Sequence, residues 1–568
     1  MAITELTIEN FKGIGKKQTI PIRPITMLFG GNSAGKSTII QAIHLIKHIL
    51  ITGSPEVDKL IPGVPHLDIG GFQQYVHNRS LNKDVRLGVT IQVDDDGLPY
   101  YMPRRANSTS ENNVAAFELP ISDIILSTYS IEISISWDAV KNCSYVRKLK
   151  VYMDNEFFCE LDMASTDLHP NLTTFKPFHS CLYDVLGVNS ECDEAHDNLL
   201  WSYANDFTIA EPEASNIEGD STPLNSRILP LHLTLYDQDI IPIKVASMLK
   251  NKDGEFNEES YFGEFADWIF TRCIAGGVDK VRQELIGSRY IGSLRSIPER
   301  GYFGQKTVTD DRWASGLAAW DILTHKNRKI KQSDWLDLKR INKLGLRCQL
   351  KEFSESTIKS NELETYIEMR SNISNSLKEN PELATEDILG KDNIFKLDDL
   401  LKEKILSITA KSEVSRHICL VTGKDEITVD PCDVGVGVSQ VIPVAIGVQE
   451  PNYSILMVEQ PELHIHPRVQ CEFADLMAYQ LNKTDTKVQL LETHSEHMIL
   501  RLLRRIRETY EGELPQDAPK VRPESISVIY VNKIEGEVKI QQLRISEDGD
   551  FADEWPQGFF EERFDEYE

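Results

Sequence analysis

A chain of 568 residues with 41% hydrophobic and 26% charged residues has the composition of a globular protein of two or three structural units, not of a fibrous, low-complexity or disordered one. Its formal net charge of −27 excludes a surface that binds nucleic acid as a whole, because phosphates are held by Lys and Arg and repelled by carboxylates. Nine cysteines without a C-x-x-C pair read as reduced thiols, and the absence of a leader pattern or an 18-residue apolar stretch predicts a cytoplasmic chain with no membrane partner.

In chain order, residues 3–8 and 18–22 alternate apolar and polar side chains and predict strands. Residues 25–29 are a short apolar strand that feeds directly into Gly30-Gly31-Asn32-Ser33-Ala34-Gly35-Lys36-Ser37. The helix that follows carries Ile39, Ile40, Ile43, Leu45, Ile46 and Ile49 over too wide an arc for a surface helix, so it is expected to pack beneath a sheet. Strands are predicted at 131–137 and 147–153, a helix around 255–273, and a strand running into a turn at 290–295. Between 326 and 410 charged, helix-favouring sequence dominates. Paired strands are expected at 418–422 and 426–429, and buried strands at 455–458 and 488–491, the second followed by a helix. This divides the chain into 1–94, an insertion at 95–410 that is partly β and then helical, and 411–568 with an acidic end. Ten of the 22 residues from Glu547 to Glu568 are Asp or Glu, a solvated tail or a docking peptide for a basic partner.

The glycine segment fits G-x-x-x-x-G-K-[ST], a loop whose backbone amides cradle phosphates. Lys36 is expected on β- and γ-phosphate oxygens and Ser37 on Mg²⁺, with donors from Gly30, Asn32, Ser33, Ala34, Gly35 and Thr38, so ATP and Mg²⁺ are the implied cofactors. Far along the chain, Glu459 ends an apolar strand, where a carboxylate meets Mg²⁺ directly or through water. The next residue, Gln460, can position water but cannot take a proton, which predicts slow turnover unless Glu462 or a partner group supplies the base. An ordinary buried strand end before a proline turn is the alternative. Gly435, Gly437 and Ser439 make either an anion-binding nest at a helix start or a glycine turn between core elements. His494, at a strand end, is either a γ-phosphate sensor or structural.

The order of these segments resembles the ABC-type ATPases of the structural-maintenance (SMC), RecF and OLD group, over residues 1–90 and about 285–568. The resemblance implies an α/β fold, an ABC-type P-loop head with a mixed sheet, flanking helices and a large α+β insertion. It implies a signature segment at 433–440, a Walker B strand at 455–460, a D-loop at Leu463-His464-Ile465-His466, and a switch histidine at His494. Gln73, beside Gln74, becomes the candidate Q-loop residue at the metal. In such a family two heads face each other, each ATP being held between the loop of one and the signature of the other, so a homodimer or higher oligomer is implied. The first position of the signature loop departs from the family pattern, with Gly435 in the place of a serine.

Within that group, Tyr290-Ile291-Gly292-Ser293-Leu294-Arg295, Glu459-Gln460-Pro461-Glu462-Leu463-His464-Ile465-His466-Pro467, Glu492-Thr493-His494-Ser495-Glu496-His497 and Trp555-Pro556-Gln557-Gly558-Phe559-Phe560 are similar to the Septu (PtuA) anti-phage ATPases. That likeness implies bacterial defence, an HNH-type nuclease subunit as partner, and DNA or a retron reverse transcriptase–msDNA complex as further partners. The residues after His494 offer no acidic nuclease constellation, so no nuclease site is expected in this chain. A DNA-repair ATPase with SMC- or RecF-like heads and a nucleotide-sensing scaffold with negligible turnover are the competing readings. After Ser495, residues His497, Arg501, Arg504 and Arg505 share one helix face, a candidate nucleic-acid contact or a salt-bridged helix face. Lys326, Arg328, Lys329 and Lys331 form a second basic patch.

Overall fold

The computed structural model describes residues 2–99, 124–162, 171–176, 179–182, 271–324, 347–354, 414–422, 427–483 and 487–556, apart from positions 58, 62–63, 65–66, 96, 301, 303 and 306. It also describes isolated positions between 368 and 403. The expected α/β class is observed. Two compact units are present: 1–296 with 309–316 and 440–568, and 297–308 with 317–439.

The first unit contains two sheets. One has seven strands in the order β2-β1-β4-β5-β6-β7-β8: β1 Ala2–Glu9, β2 Gln18–Pro21, β4 Val85–Gln92, β5 Thr128–Asp138, β6 Cys143–Met153, β7 Glu156–Asp162 and β8 Asn171–Phe175. All its pairings are antiparallel. On β1, Leu6 and Ile8 are buried between more exposed neighbours, the period-two pattern of a strand with one covered face, and Ile3 is buried on the far side of the register shift between Ile3 and Glu5. Because β5 pairs with β4, the sheet built from the first 94 residues continues without a break into residues 128–175.

The second sheet runs β16-β15-β3-β14-β13-β9, with β3 Ile25–Phe29, β9 Arg289–Ile291, β13 Ile455–Glu459, β14 Val488–Glu492, β15 Ile526–Ile534 and β16 Glu537–Leu543. Its pairings are parallel except β15 with β16, so the sheet is mixed. β3, β13 and β14 are buried at every position, as strands covered on both faces must be, and they read as apolar runs for that reason. Helix α1 (Lys36–Thr52) lies between the sheets. Its Ile39, Ile40, Ile43, Leu45 and Ile46 share one apolar core with Leu87 and Ile131 of the first sheet and Met457 and Leu490 of the second, which accounts for its wide apolar arc.

The remaining helices of this unit include α2 (Phe72–Tyr75), α3 (Gly277–Ile286), α4 (Asp310–Ala314), α7 (Pro467–Leu481) and α8 (Glu496–Glu511). Ser495 caps α8, its Oγ accepting the Met498 N–H at 3.1 Å. Trp555, from the ending motif, packs edge-on against Phe29 with ring centroids 5.4 Å apart, at the point where β3 enters the glycine loop. Residues 557–560 of that motif and the basic patch at 326–331 lie outside the described residues, as does the helix expected around 255–273 except for its last three residues, which lie in a helical segment, Thr271–Gly276.

In the second unit, α5 (Leu317–Thr324) is followed by β10 (Arg347–Ser354), β11 (Val414–Thr422) and β12 (Ile427–Val429), which form an antiparallel sheet. The pairing of β11 with β12 is the one expected from sequence. β10 is a correction, since it lies inside sequence expected to be helical. Its full-length pairing with β11, Arg347 opposite Val421 through Ser354 opposite Val414, overrides the helix propensity of the surrounding charged residues. Helix α6 (Val436–Gln449) follows, and from Gln440 onward it belongs to the first unit.

Candidate functional site

β3 delivers the chain at Phe29 into a loop that glycine alone can build. Gly30 has φ 141°, and a Cβ there would lie 2.1 Å from the backbone oxygen of Val531 on β15. Gly35 has φ 105° as the left-handed N-cap of α1, and a Cβ there would lie 2.9 Å from the side chain of Val538 on β16. The β15–β16 hairpin is thus the floor of the loop. The other side is open: Gly31 has nothing within 4 Å of a Cβ position, and Gly31, Asn32 and Ser33 are exposed.

Lys36 is buried at the first turn of α1, at 4% exposure. Its Nζ donates to the carbonyl oxygens of Gly30 and Gly31 at 3.0 Å each, and lies 3.2 Å from Nε2 of His494 and 3.9 Å from Oε1 of Glu492. An ammonium can only donate, so Nε2 of His494 accepts and the ring is neutral. Burial lowers the pKa of Lys36, against the opposing charges of Glu492, Glu462 and Glu459. Burial and then the Lys36 charge lower that of His494.

The parallel register of β13 and β14 sets Glu459 beside Glu492, both buried at the carboxyl ends of their strands. Ligands of open α/β sheets bind at this end. The Ser37 hydroxyl donates to Oε2 of Glu492 at 2.8 Å. Glu459 is engaged differently: burial raises its pKa, while hydrogen bonds from Tyr290 and Ser293 and the charges of Arg295 and Lys36 act in the opposite direction. A hydroxyl and two carboxylates at one strand edge are hard oxygen donors of the kind Mg²⁺ takes, and the open face of the loop presents backbone and a lysine suited to a phosphate chain. The residues present therefore fit ATP with Mg²⁺.

One comparison with known proteins agrees with this geometry. A model of the AAA ATPase domain family, AAA_15, matches residues 1–499. The chain belongs to the AAA ATPase domain family. No curated protein matches it. Among solved structures, an Smc head bound to the C-winged helix domain of ScpA is 11% identical, with TM-score 0.34 and coverage of 96% of this chain and 98% of that one. The SMC head domain from Thermotoga maritima is 7% identical, with TM-score 0.33 and coverage of 96% and 100%. An Smc head from Pyrococcus furiosus with an extended coiled coil, bound to the C-terminal domain of ScpA, is 9% identical, with TM-score 0.35 and coverage of 96% of each chain. Likenesses at these scores carry no weight for this chain. Its P-loop ATPase head is established by the family match together with the strand, glycine loop and helix seen here.

In this AAA ATPase domain, Gln460 leaves β13 in the left-handed region at φ 43°, and two contacts hold it there. Its N–H donates to the Glu492 carbonyl at 2.7 Å, and Arg295 donates through Nη2 to the carbonyl oxygens of Glu459 at 2.6 Å and Gln460 at 3.1 Å. Arg295 also reaches the Gln440 carbonyl through Nη1 at 3.3 Å, and the Gln440 amide returns a hydrogen bond to the Arg295 carbonyl at 2.8 Å. Burial draws the Arg295 pKa down to about 10. Glu462 accepts the Thr493 hydroxyl at one oxygen and the His494 N–H at the other, at 2.7 Å each, so it is tied to the histidine segment.

Other sequence candidates are placed elsewhere. Gln73 and Gln74 are exposed on α2, and among the described residues Gln73 makes no hydrogen bond to Ser37, Glu459 or Glu492. Gly435 is exposed in open space, whereas Ser439 is buried and its hydroxyl donates to the Val436 carbonyl at 2.9 Å, within its own helix. Thr38 is buried behind the loop. The basic stripe is engaged in ion pairs. Arg505 is buried and forms a two-pronged pair with Asp475 of α7 at 2.8 and 2.7 Å, Arg501 meets the same carboxylate at 2.8 Å, and Arg504 pairs with Glu508 at 2.7 Å. These arginines are paired within and between two helices, the salt-bridged helix face that the sequence offered as the alternative, and the pairing takes Arg505 into the interior. Sequence reasoning missed the roles of Glu492, Arg295 and Tyr290. A signal existed for Glu492, since its strand ends in a carboxylate just as the Glu459 strand does.

Proposed function

We propose that this protein is a cytoplasmic, slowly turning-over ATP-dependent dimeric switch that scaffolds and regulates an HNH-type nuclease in bacterial anti-phage defence. The observation that carries the reading is the meeting of Lys36, Ser37, Glu459, Glu492 and His494 at the carboxyl ends of β3, β13 and β14. In this reading the loop amides and Lys36 hold the phosphates, with Lys36 exchanging the Gly30 and Gly31 carbonyls for phosphate oxygens. Ser37 and the two strand-end carboxylates hold Mg²⁺, which neutralises phosphate charge when bound. Glu462 positions His494, and Arg295 positions Gln460 for water. Gly435 and Gly437 of a second copy complete the site, with Ser439 holding their turn from within its own helix, which is what makes ATP a dimerising ligand. The nuclease subunit, and DNA or a retron reverse transcriptase–msDNA complex as further partners, rest on the resemblance of the motifs to the Septu group.

Light scattering of the purified chain tests the switch: mass should double with MgATP and return to the starting value when ATP is removed. A mass that is unchanged by ATP refutes the dimeric switch. A second reading, a nucleotide sensor without relevant turnover, is favoured by Gln460, which has no proton-accepting carboxylate. It predicts ATP-dependent dimers with no phosphate release, even in Gln460→Glu. Co-expression with an HNH-type nuclease should recover one complex. Two proteins that elute separately in both nucleotide states count against the defence assignment.

A further inference from the structure

The Ser37 hydroxyl already has an acceptor, and it is Glu492. A serine hydroxyl carries one proton and two lone pairs, so a proton committed to Glu492 turns the lone pairs away from that carboxylate and toward whatever cation approaches. The other oxygen of Glu492 is 3.9 Å from Nζ of Lys36, so one carboxylate spans both functional side chains of the glycine loop. Its backbone is pinned from two sides: Glu492 is in register with Leu28 on β3 and with Glu459 on β13. Its carbonyl accepts the Gln460 N–H at 2.7 Å, and the next residue, Thr493, donates its N–H to the Leu28 carbonyl at 3.1 Å. Glu459 instead takes hydrogen bonds from Tyr290 on the adjacent strand β9 and from Ser293. Of the two carboxylates, Glu492 is therefore the one coupled to the loop.

We propose that Glu492 is the principal carboxylate of the divalent-cation site, orienting Ser37 toward the metal and supplying the negative charge nearest to it. Glu459 is then the companion carboxylate on the water side, next to Gln460. The division of labour follows from strand order: the strand inserted between β3 and the Glu459 strand brings its own terminal carboxylate closer to the loop. This assignment rests on the nucleotide-site reading above.

The test uses the full chain, a non-hydrolysable ATP analogue and Mn²⁺ as a spectroscopically visible metal. Bound Mn²⁺ is measured by electron paramagnetic resonance, and nucleotide affinity is measured separately in chelator. Glu492→Gln should weaken Mn²⁺ binding in the ternary complex by about 10- to 100-fold, the range seen when a residue orienting a metal ligand is removed. Metal-free nucleotide affinity should hold or tighten, because a negative charge near the phosphates is gone. Glu459→Gln should weaken Mn²⁺ less than Glu492→Gln does. If Glu492→Gln does not fold, Glu492→Asp, which keeps the charge but withdraws it by one methylene, should show an intermediate loss. Wild-type Mn²⁺ affinity in Glu492→Gln or in Glu492→Asp, or a larger loss in Glu459→Gln, overturns the assignment alone. A wild-type chain that binds neither the analogue nor Mn²⁺ overturns the nucleotide site itself, and the assignment with it.

Discussion

Replacing Arg295 with Met should separate stability from function. The side chain is 4% exposed, and two of its acceptors, the carbonyl oxygens of Glu459 and Gln440, sit in fully buried hydrogen bonds. A buried carbonyl left without a donor costs about 1–3 kcal/mol, so losing the donor from both costs roughly 4 kcal/mol. Against this, burial draws the Arg295 pKa from 12.5 to about 10, equivalent to roughly 3 kcal/mol disfavouring the charged side chain. Methionine keeps most of the volume and removes that penalty. The two effects nearly cancel, and urea unfolding of Arg295→Met should give a free energy within about 2 kcal/mol of wild type. Function should not survive so well. Gln460 sits at φ 43°, a left-handed conformation that costs a non-glycine residue about 1–2 kcal/mol, and without Arg295 it is free to relax. A displacement of about 1 Å at a reacting group is worth about 100-fold in rate. Phosphate release at saturating ATP should therefore fall about 100-fold while ATP affinity stays near wild type. Wild-type turnover in the variant would refute a positioning role for Arg295, and a loss of stability well beyond 4 kcal/mol would refute the near-cancellation.

Two further outcomes follow from the same contacts. Burial and the Lys36 charge hold His494 below its ordinary pKa of 6.5, so the unfolded chain takes up this proton at a higher pH than the folded one does. Its contribution is complete above pH 6.5 and declines as pH falls below 6.5, until the folded-state pKa is passed. His494→Gln, which keeps an acceptor for Lys36 but does not titrate, should lose less stability than wild type between pH 7.5 and 5.5 in urea titrations; equal losses would contradict this. Asp475→Ala strips the buried Arg505 of its two-pronged partner and leaves it Glu508 alone, so unfolding free energy should drop by about 3 kcal/mol. A change below about 1 kcal/mol would mean that the α7–α8 pairing contributes little.

The parts of the site legible in sequence are those fixed by local chemistry. Residues 25–37 announce a strand, a glycine loop and a helix, because only glycine accepts the left-handed Gly35 and the backbone contact at Gly30. Residues 455–459 and 488–492 read as buried strands because parallel core strands are apolar throughout. What could not be read depends on pairing. That Glu492 rather than Glu459 meets Ser37 follows from β14 lying between β3 and β13, an order no periodicity encodes. The arginines after Ser495 do share a helix face, but their partner Asp475 is on another helix, 30 residues before Arg505. The hairpin of β15 and β16 was not among the anticipated strands, yet its Val531 and Val538 form the floor of the loop. Arg347–Ser354 became a strand through its partner β11, against the helical bias of its neighbours.

The central claim, that this AAA ATPase domain binds ATP through the loop following β3, is tested most directly by ATP affinity in wild type and Lys36→Ala. Lys36 already donates two hydrogen bonds to the carbonyls of Gly30 and Gly31, and a phosphate oxygen is the stronger, charged acceptor. Losing charge-assisted contacts worth about 3 kcal/mol should weaken MgATP binding by at least about 100-fold in isothermal titration. A Lys36→Ala protein that remains folded and binds MgATP within about threefold of wild type would contradict the account.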